Sequence, residues 1–177
     1  MKSKSQPLSK THFVAYVATS IDGRISLEKR KLPDWTSKED WKFFQRELAK
    51  ADAVVTGRNT YLSAEGRLKK RTTFVLSSRV KNTLKKGTVT FINPAHQNLK
   101  KLFSEYKTVA IVGGARVYQA MLDNNLLHDL YVTIEPLVFG RGTPMFSDGL
   151  QTKRFELVSV KKLNTKSTIL LHYRIKK

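Results

Sequence analysis

The segment Val109-Ala110-Ile111-Val112-Gly113-Gly114-Ala115-Arg116-Val117-Tyr118 constrains the fold more than any other. Four consecutive apolar residues, with no polar residue to mark a solvent face, form the pattern of a strand covered on both sides. Two glycines follow. Then comes an amphipathic segment in which Val117 and Met121, and Tyr118 and Leu122, pair at i, i+4. A buried strand that passes through glycine straight into a helix belongs to an α/β sheet. The glycines let the backbone approach a ligand closely, and the free N–H groups and positive end of the helix favour an anion, typically a phosphate. The spacing is not the G-x-G-x-x-G dinucleotide fingerprint, so on spacing alone a phosphate site and a plain strand-to-helix turn stand level.

The same grammar recurs. In Ala53-Val54-Val55-Thr56-Gly57-Arg58-Asn59-Thr60-Tyr61 a strand again meets glycine and a short helix, with Arg58 as a forked donor and Thr60 as a hydroxyl. The run Phe74-Val75-Leu76 ends in Ser77-Ser78-Arg79, hydroxyls and a guanidinium suited to the 2′-phosphate of an NADP-type cofactor. His12 to Ala18 is a further strand. Three strand ends with anion-binding chemistry would meet at one edge of a parallel sheet, where ligands of α/β folds bind. A helix is predicted over 37–50 from Trp41, Phe44, Leu48 and Ala51. Thr36-Ser37-Lys38-Glu39 is read as its capping box, and Glu39 and Asp40 lie in its first turn. Asn93-Pro94 is predicted to open a second helix carrying Leu99, Leu102 and Phe103. The last third differs. Leu130 to Val138 and Phe155 to Lys162 read as strands. Ile169, Leu171, Tyr173 and Ile175 alternate with Leu170, His172, Arg174 and Lys176, so this strand has period two, with His172 expected to face solvent. Residues 163–166 make the hairpin connection.

The fold class is therefore α/β: a mainly parallel sheet flanked by helices, closed by an antiparallel C-terminal hairpin. With 177 residues and 40% apolar content, residues 11–177 are expected to form a single domain behind a disordered basic tail, 1–10. No apolar stretch approaches the roughly 20 residues of a membrane span, and the tail has no apolar run like that of a signal peptide. Cysteine is absent, which excludes disulfides and thiolate ligation. A cytoplasmic protein is the expectation. The four histidines have no metal-ligand spacing, and no metal is expected. Against 14 acids stand 33 Lys and Arg, a net charge of +19 that attracts polyanions. The lysines are mostly scattered, although those at 69–71, 85–86 and 100–101 form pairs and a triplet, whereas a nucleic-acid groove wants a basic stripe with interleaved aromatics. Nucleic acid is thus not the expected partner.

At this point a family resemblance is explicit. Ala18-Thr19-Ser20-Ile21-Asp22-Gly23-Arg24-Ile25 resembles the opening signature of the reductase domain of the bifunctional riboflavin-biosynthesis deaminase-reductase. Gly57-Arg58-Asn59-Thr60, Leu76-Ser77-Ser78-Arg79 and Ile111 to Tyr118 are similar to the cofactor motifs of dihydrofolate reductases, in the same order. Leu130 to Pro136 and Phe139 to Pro144 resemble the penultimate segment of the riboflavin branch. The resemblance runs from about Phe13 to Tyr173 and implies a dihydrofolate-reductase-like fold.

The resemblance implies NADPH as cofactor. Gly57, Arg58 and Thr60, with Gly113, Gly114, Ala115, Arg116 and Val117, would hold its phosphates. Ser77, Ser78 and Arg79 would face the 2′-phosphate, and Ala18 and Ile25 would flank the nicotinamide. Asp22, Arg24, Ser37 and Phe44 would bind substrate, with Asp40 and Glu135 as catalytic acids. Two plainer roles stand beside these: Asp40 as a first-turn acid complementing the helix dipole, and Glu135 as an exposed strand residue. The favoured reaction is hydride transfer to a ribosylaminopyrimidine phosphate, as in the 5-amino-6-(5-phosphoribosylamino)uracil reductase step. The alternative is a dihydrofolate or pterin reductase, which Asp40 keeps open. From another class comes a non-catalytic basic nucleic-acid-binding protein on the same scaffold. Two segments depart from the riboflavin pattern: Leu48-Ala49-Lys50 lacks its arginine, and Leu62-Ser63-Ala64-Glu65 replaces its Ala-Asp-Asp-Pro. No zinc-deaminase signature is present. Riboflavin-type relatives commonly pair, which implies a homodimer.

Overall fold

A computed structural model describes residues 10–28, 33–146 and 149–176. The tail predicted over 1–10 lies outside the described residues except for Lys10. The first strand, β1 (His12–Thr19), is followed by β2 (Arg24–Ser26), α1 (Lys38–Leu48), β3 (Ala53–Gly57), α2 (Arg58–Leu68), β4 (Thr73–Leu76), β5 (Thr83–Lys86) and β6 (Val89–Ile92). After a 3-10 turn (Pro94–His96) come α3 (Leu99–Leu102), β7 (Thr108–Ile111), α4 (Ala115–Asp123), β8 (Asp129–Ile134), β9 (Thr143–Pro144), β10 (Phe155–Lys162) and β11 (Ile169–Ile175).

Among the described residues, nine strands form one sheet in the order β10-β11-β8-β1-β7-β3-β4-β6-β5, while β2 and β9 pair separately. The block β8-β1-β7-β3-β4-β6 is parallel, and β11, β10 and β5 join it antiparallel. This is the expected α/β sheet with a C-terminal hairpin. The continuous apolar runs are buried on both faces because a period of two sends neighbours to opposite sides. Phe13, Ala15, Val55 and Ile111 pack against Val117, Met121 and Leu122 of α4. Val14, Tyr16, Val54 and Ala110 pack on the other face with Leu48 of α1 and Tyr61 and Leu68 of α2.

Several local expectations shift. The cap of α1 is Ser37, whose hydroxyl accepts from the Asp40 N–H at 3.2 Å, so the capping unit starts one residue later than Thr36. The second predicted helix is broken in two. Asn93 caps the 3-10 turn, Gln97 is extended, and Asn98 caps α3, since each Asn side chain competes for the backbone. The strand predicted to reach Val138 stops at Ile134, because Pro136 cannot donate to a ladder and the Leu137 N–H turns back to the Glu135 carbonyl at 2.7 Å.

His172 does not face solvent. Its Nε2 lies 2.6 Å from Asp129 Oδ1, its ring stacks on Tyr131 at 4.1 Å, and its side chain is 12% exposed. The alternation was real, but both faces of this strand are covered where it runs beside β8.

Candidate active site

The parallel register brings the C-terminal ends of β3, β4 and β7 side by side, with Gly57 opposite Leu76 and Val55 opposite Ile111. At that edge lies a cleft of about 1520 Å³ walled by α1 and α2. It is lined by the first turn of α2 (Gly57, Arg58, Thr60) and by the passage into α4 (Gly113, Gly114, Ala115, Arg116, Val117). Ser77, Ser78 and Arg79 after β4 line it too, as do Ala18 of β1 and Ile25 of β2. Every residue expected at the cofactor thus borders one cavity.

The geometry around the glycines suits an anion. Gly57 and Gly114 are the N-caps of α2 and α4, and neither helix is capped by a side chain. Both positive helix ends open on the same cavity. Gly113 has φ +99, a conformation that favours glycine. Its carbonyl accepts from the Gly57 N–H at 2.8 Å and from the Thr56 hydroxyl at 3.1 Å, which turns the junction toward β3. A Cβ on Gly57 would sit 3.2 Å from Val117 Cγ2 and 3.6 Å from the Gly114 nitrogen, so the two junctions touch and leave one shared cradle. The Ser77 hydroxyl accepts from the Arg79 N–H at 3.2 Å, which fixes the start of the Arg79 segment. With Arg58, Arg79 and Arg116 on the wall, the donor set fits a dinucleotide phosphate.

Asp40 lies on the substrate side. It is 8% exposed, borders the cleft, and is hydrogen-bonded by side chain to Thr133 of β8. Burial pushes its carboxyl above the usual carboxylate range; the Thr133 hydroxyl works against that and the nearby Glu135 charge works with it. An acid serving only the helix dipole would sit in water on the first turn, as Glu39 does. Ser37 and Phe44 share this wall.

Asp22, Arg24 and Glu135 do not line the cleft. Glu135 is 3% exposed and both its oxygens are engaged: Oε1 accepts from the Ser37 N–H at 2.6 Å and Oε2 from the Thr168 hydroxyl at 2.7 Å. It is therefore neither the exposed strand residue of the plainer expectation nor a wall of the cavity. Asp22 accepts from the Ser20 hydroxyl at 2.6 Å and from the N–H groups of Phe139 at 3.0 Å and Gly140 at 2.8 Å. These donors, Ser20 foremost, hold its carboxyl down to about 2. Arg24 reaches toward Asp22 (3.7 Å) and the Gly142 carbonyl (3.5 Å). Asp22 and Arg24 bracket the loop after β8 against the β1–β2 turn.

Sequence reasoning missed Thr133, Trp41, Arg67 and Arg71 as cleft residues. Arg67 stacks its guanidinium over the Trp41 ring at 4.7 Å, and Arg71 donates to the Leu48 carbonyl at 3.2 Å. A polar residue inside the apolar β8 was the available signal for Thr133. Arg71 was counted only as part of a charge cluster.

Residues 13–176 match the model of the dihydrofolate reductase family. The chain belongs to the dihydrofolate reductase family. Among its relatives is the Bacillus subtilis (strain 168) protein YwjB, itself uncharacterized, 25% identical over 174 residues that cover 90% of this chain and 95% of that one. The fold is shared with an Enterococcus faecalis dihydrofolate reductase complexed with NADP(H), at TM-score 0.67 and 23% identity over 96% of this chain and 99% of that one. It is also shared with a diaminohydroxyphosphoribosylaminopyrimidine deaminase/5-amino-6-(5-phosphoribosylamino)uracil reductase from Thermotoga maritima. There the TM-score is 0.69 and the identity 18%, over 94% of this chain but 57% of that longer one. Among the described residues no helix is long and apolar enough to cross a membrane.

Proposed function

We propose that residues 11–177 form an NADPH-dependent reductase domain whose substrate presents an aminopyrimidinone edge, of the dihydropterin class, to Asp40. The observation that carries this reading is the buried Asp40–Thr133 pair on the wall of a cleft that also holds two uncapped helix N-termini. When bound, NADPH would supply a hydride from C4 of its nicotinamide. Gly57, Arg58 and Thr60 and the 113–117 junction would hold the phosphates. Ser77, Ser78 and Arg79 would select the 2′-phosphate, and Ala18 and Ile25 would flank the nicotinamide. The chain's part is positioning and electrostatics.

A ring N–H and an exocyclic amino group side by side offer two donors to one carboxylate. A buried carboxylate answers that edge. A uracil edge, with its N–H between two carbonyls, would set an acceptor against it. The raised Asp40 pKa also lets this group hold a proton for the reduced C=N at a pH where ordinary carboxylates cannot. Glu135 serves as a positioning residue for Asp40 through Ser37.

The second reading is reduction of a ribosylaminopyrimidine phosphate. It is favoured by the likeness to the deaminase/reductase fold and by the Arg67 and Arg71 cations on the cleft wall. It ranks second because Asp22, Arg24 and Glu135, the residues that pointed to that branch, contact protein rather than the cavity. The test is NADPH oxidation with dihydrofolate, dihydrobiopterin and the ribosylaminopyrimidine phosphate in parallel, alongside quenching of Trp35 and Trp41 fluorescence by NADPH. Turnover confined to the pyrimidine phosphate replaces the first reading by the second. Absence of NADPH binding, with salt-sensitive retention on heparin, overturns both in favour of a polyanion-binding protein.

A further inference from the structure

Beyond α2 the sheet runs past the helix that covers it. Strand β5 pairs antiparallel with β6, with Leu84 opposite Phe91 and Lys86 opposite Val89. Cross-strand partners share a face of the sheet, so these four side chains point the same way. Val89 and Phe91 pack with Tyr61 of α2, so theirs is the face that α2 covers. The cover stops short of β5. Leu84 is left 44% exposed, and Leu62 on α2 is left 39% exposed. Both border a groove of about 690 Å³, a size that suits a small molecule.

The walls of the groove are tied in place. The Thr88 hydroxyl donates to the Lys69 carbonyl at 2.5 Å, which fixes the β5–β6 turn to the C-terminal end of α2. Asn93 Nδ2 donates to the Val80 carbonyl at 3.1 Å, which holds the segment between β4 and β5. Tyr61 and Phe91 meet edge to face on the apolar side, with ring centroids 5.5 Å apart, and such a wall favours a flat ligand. Arg58, Lys69, Arg79 and Lys86 supply the charge. Among the described residues none of these four is ion-paired with an acid. Glu65 also borders the groove, and its Oε1 accepts from the Tyr61 hydroxyl at 3.4 Å.

Four cations without acid partners beside an aromatic, apolar wall complement an anionic group carried on a flat apolar body. Of the groove's lining residues, Arg58, Ser77 and Arg79 also border the cleft, and the rest do not. We propose that this groove is a second binding site, for a small aromatic anion. Its occupant competes through Arg58 and Arg79 with the cofactor's 2′-phosphate. The site stands on the groove's own geometry, whereas the competition rests on the NADPH reading above.

The test uses anilinonaphthalene sulfonate, an aromatic anion whose fluorescence rises when it leaves water, with circular dichroism to confirm folding. The full chain is expected to bind it saturably. Leu84→Glu/Lys86→Glu alters two exposed side chains that border the groove and not the cleft. It is expected to lower the affinity by about tenfold or more, as the loss of a charge-assisted contact does. Leu62→Glu, on the α2 wall, should act in the same direction. Val160→Glu/Lys161→Glu makes the same charge change on β10, the opposite edge of the sheet, and should leave the affinity unchanged. Absence of saturable binding overturns the site, as does no loss in the folded groove variants or an equal loss in the β10 control. Calorimetry of NADPH with and without saturating probe tests the competition. The apparent Kd for NADPH is expected to rise at least about fivefold in the wild type, the low end of coupling between sites. A Kd that the probe does not move overturns the competition. A rise undiminished in Leu84→Glu/Lys86→Glu puts the probe in the cleft and overturns the site. Groove-dependent probe binding by a chain that does not bind NADPH supports the site and overturns the cofactor reading.

Discussion

Glu135 Oε1 accepts the backbone N–H of Ser37 at 2.6 Å, which ties the residue just past β8 to the N-cap of the helix that carries Asp40. Ser37 in turn caps the Asp40 N–H. The other Glu135 oxygen accepts the Thr168 hydroxyl at the entrance to β11. One buried carboxylate thus sets where α1 begins and, through its charge, helps hold the Asp40 proton.

The Glu135→Gln variant should separate those two jobs. An amide keeps an acceptor for Ser37, so the fold is expected to survive with a stability loss of about 1–3 kcal/mol, the range for weakening a buried hydrogen bond to a charged group. Removing the negative charge relieves Asp40 of one influence that raises its pKa. The basic limb of the kcat/KM profile assigned to Asp40 should therefore move to lower pH. An unmoved limb, at unchanged fold, would leave Glu135 with a capping role alone.

Cofactor preference is expected to rest on Arg79. A charge-assisted contact to a phosphate is worth roughly 1.5–3 kcal/mol. Arg79→Ala should then weaken NADPH by about tenfold or more while NADH changes little, as read by tryptophan quenching. Equal losses for both cofactors would remove Arg79 from the 2′-phosphate.

Asp129 should control acid stability. It is 3% exposed and takes His172 at 2.6 Å, His12 at 2.7 Å and Arg174 at 3.1 Å. Burial alone would raise its pKa, but the His172 hydrogen bond and the charges of Arg174 and His12 outweigh that and lower it. A depressed folded pKa gives stability that is whole above the unfolded value, about 3.9, and lost as pH falls through the folded one. Asp129→Asn is expected to lower stability at neutral pH by about 1–3 kcal/mol. It should also flatten the decline below about pH 4. Urea midpoints at both pH values check this, and parallel acid limbs for the two proteins would refute it.

What could be read from the sequence was local. Gly57 and Gly113 each close a short apolar strand and open a helix, and Ser77 follows Phe74-Val75-Leu76 directly, so each strand end is marked within a few residues, and the cleft they share follows from parallel order. What could not be read was long-range. Glu135 meets Ser37 98 residues away, and Asp22 meets Phe139 117 residues away, so nothing in the sequence near either acid shows that its oxygens are taken. The same holds for His172, whose partner Asp129 lies on the neighbouring strand. The β5–β6 hairpin was missed because Thr83–Lys86 is exposed on both faces and carries no alternation. The two short strands β2 and β9 have three and two residues, too few to show a period.

The Asp40→Asn variant decides what the cleft recognises. If the substrate offers paired donors, losing their charged partner should cost about 2–5 kcal/mol. That is at least about a tenfold fall in turnover of dihydrofolate, since 1.36 kcal/mol is already a decade. Stability should move differently. A raised folded pKa means that the folded state favours the protonated carboxyl. Its stabilising contribution is whole below the ordinary carboxylate value and is lost as pH rises through the raised one. At neutral pH the wild type therefore carries the cost of burying this charge, and the asparagine variant sheds it. Against that gain stands the loss of the helix-dipole interaction, about 0.3–1 kcal/mol. The expected result is a variant at least as stable at pH 7 but catalytically poor, with the high-pH limb of kcat/KM gone. A variant destabilised at pH 7, with turnover unchanged on every substrate, would return Asp40 to the part of a first-turn acid.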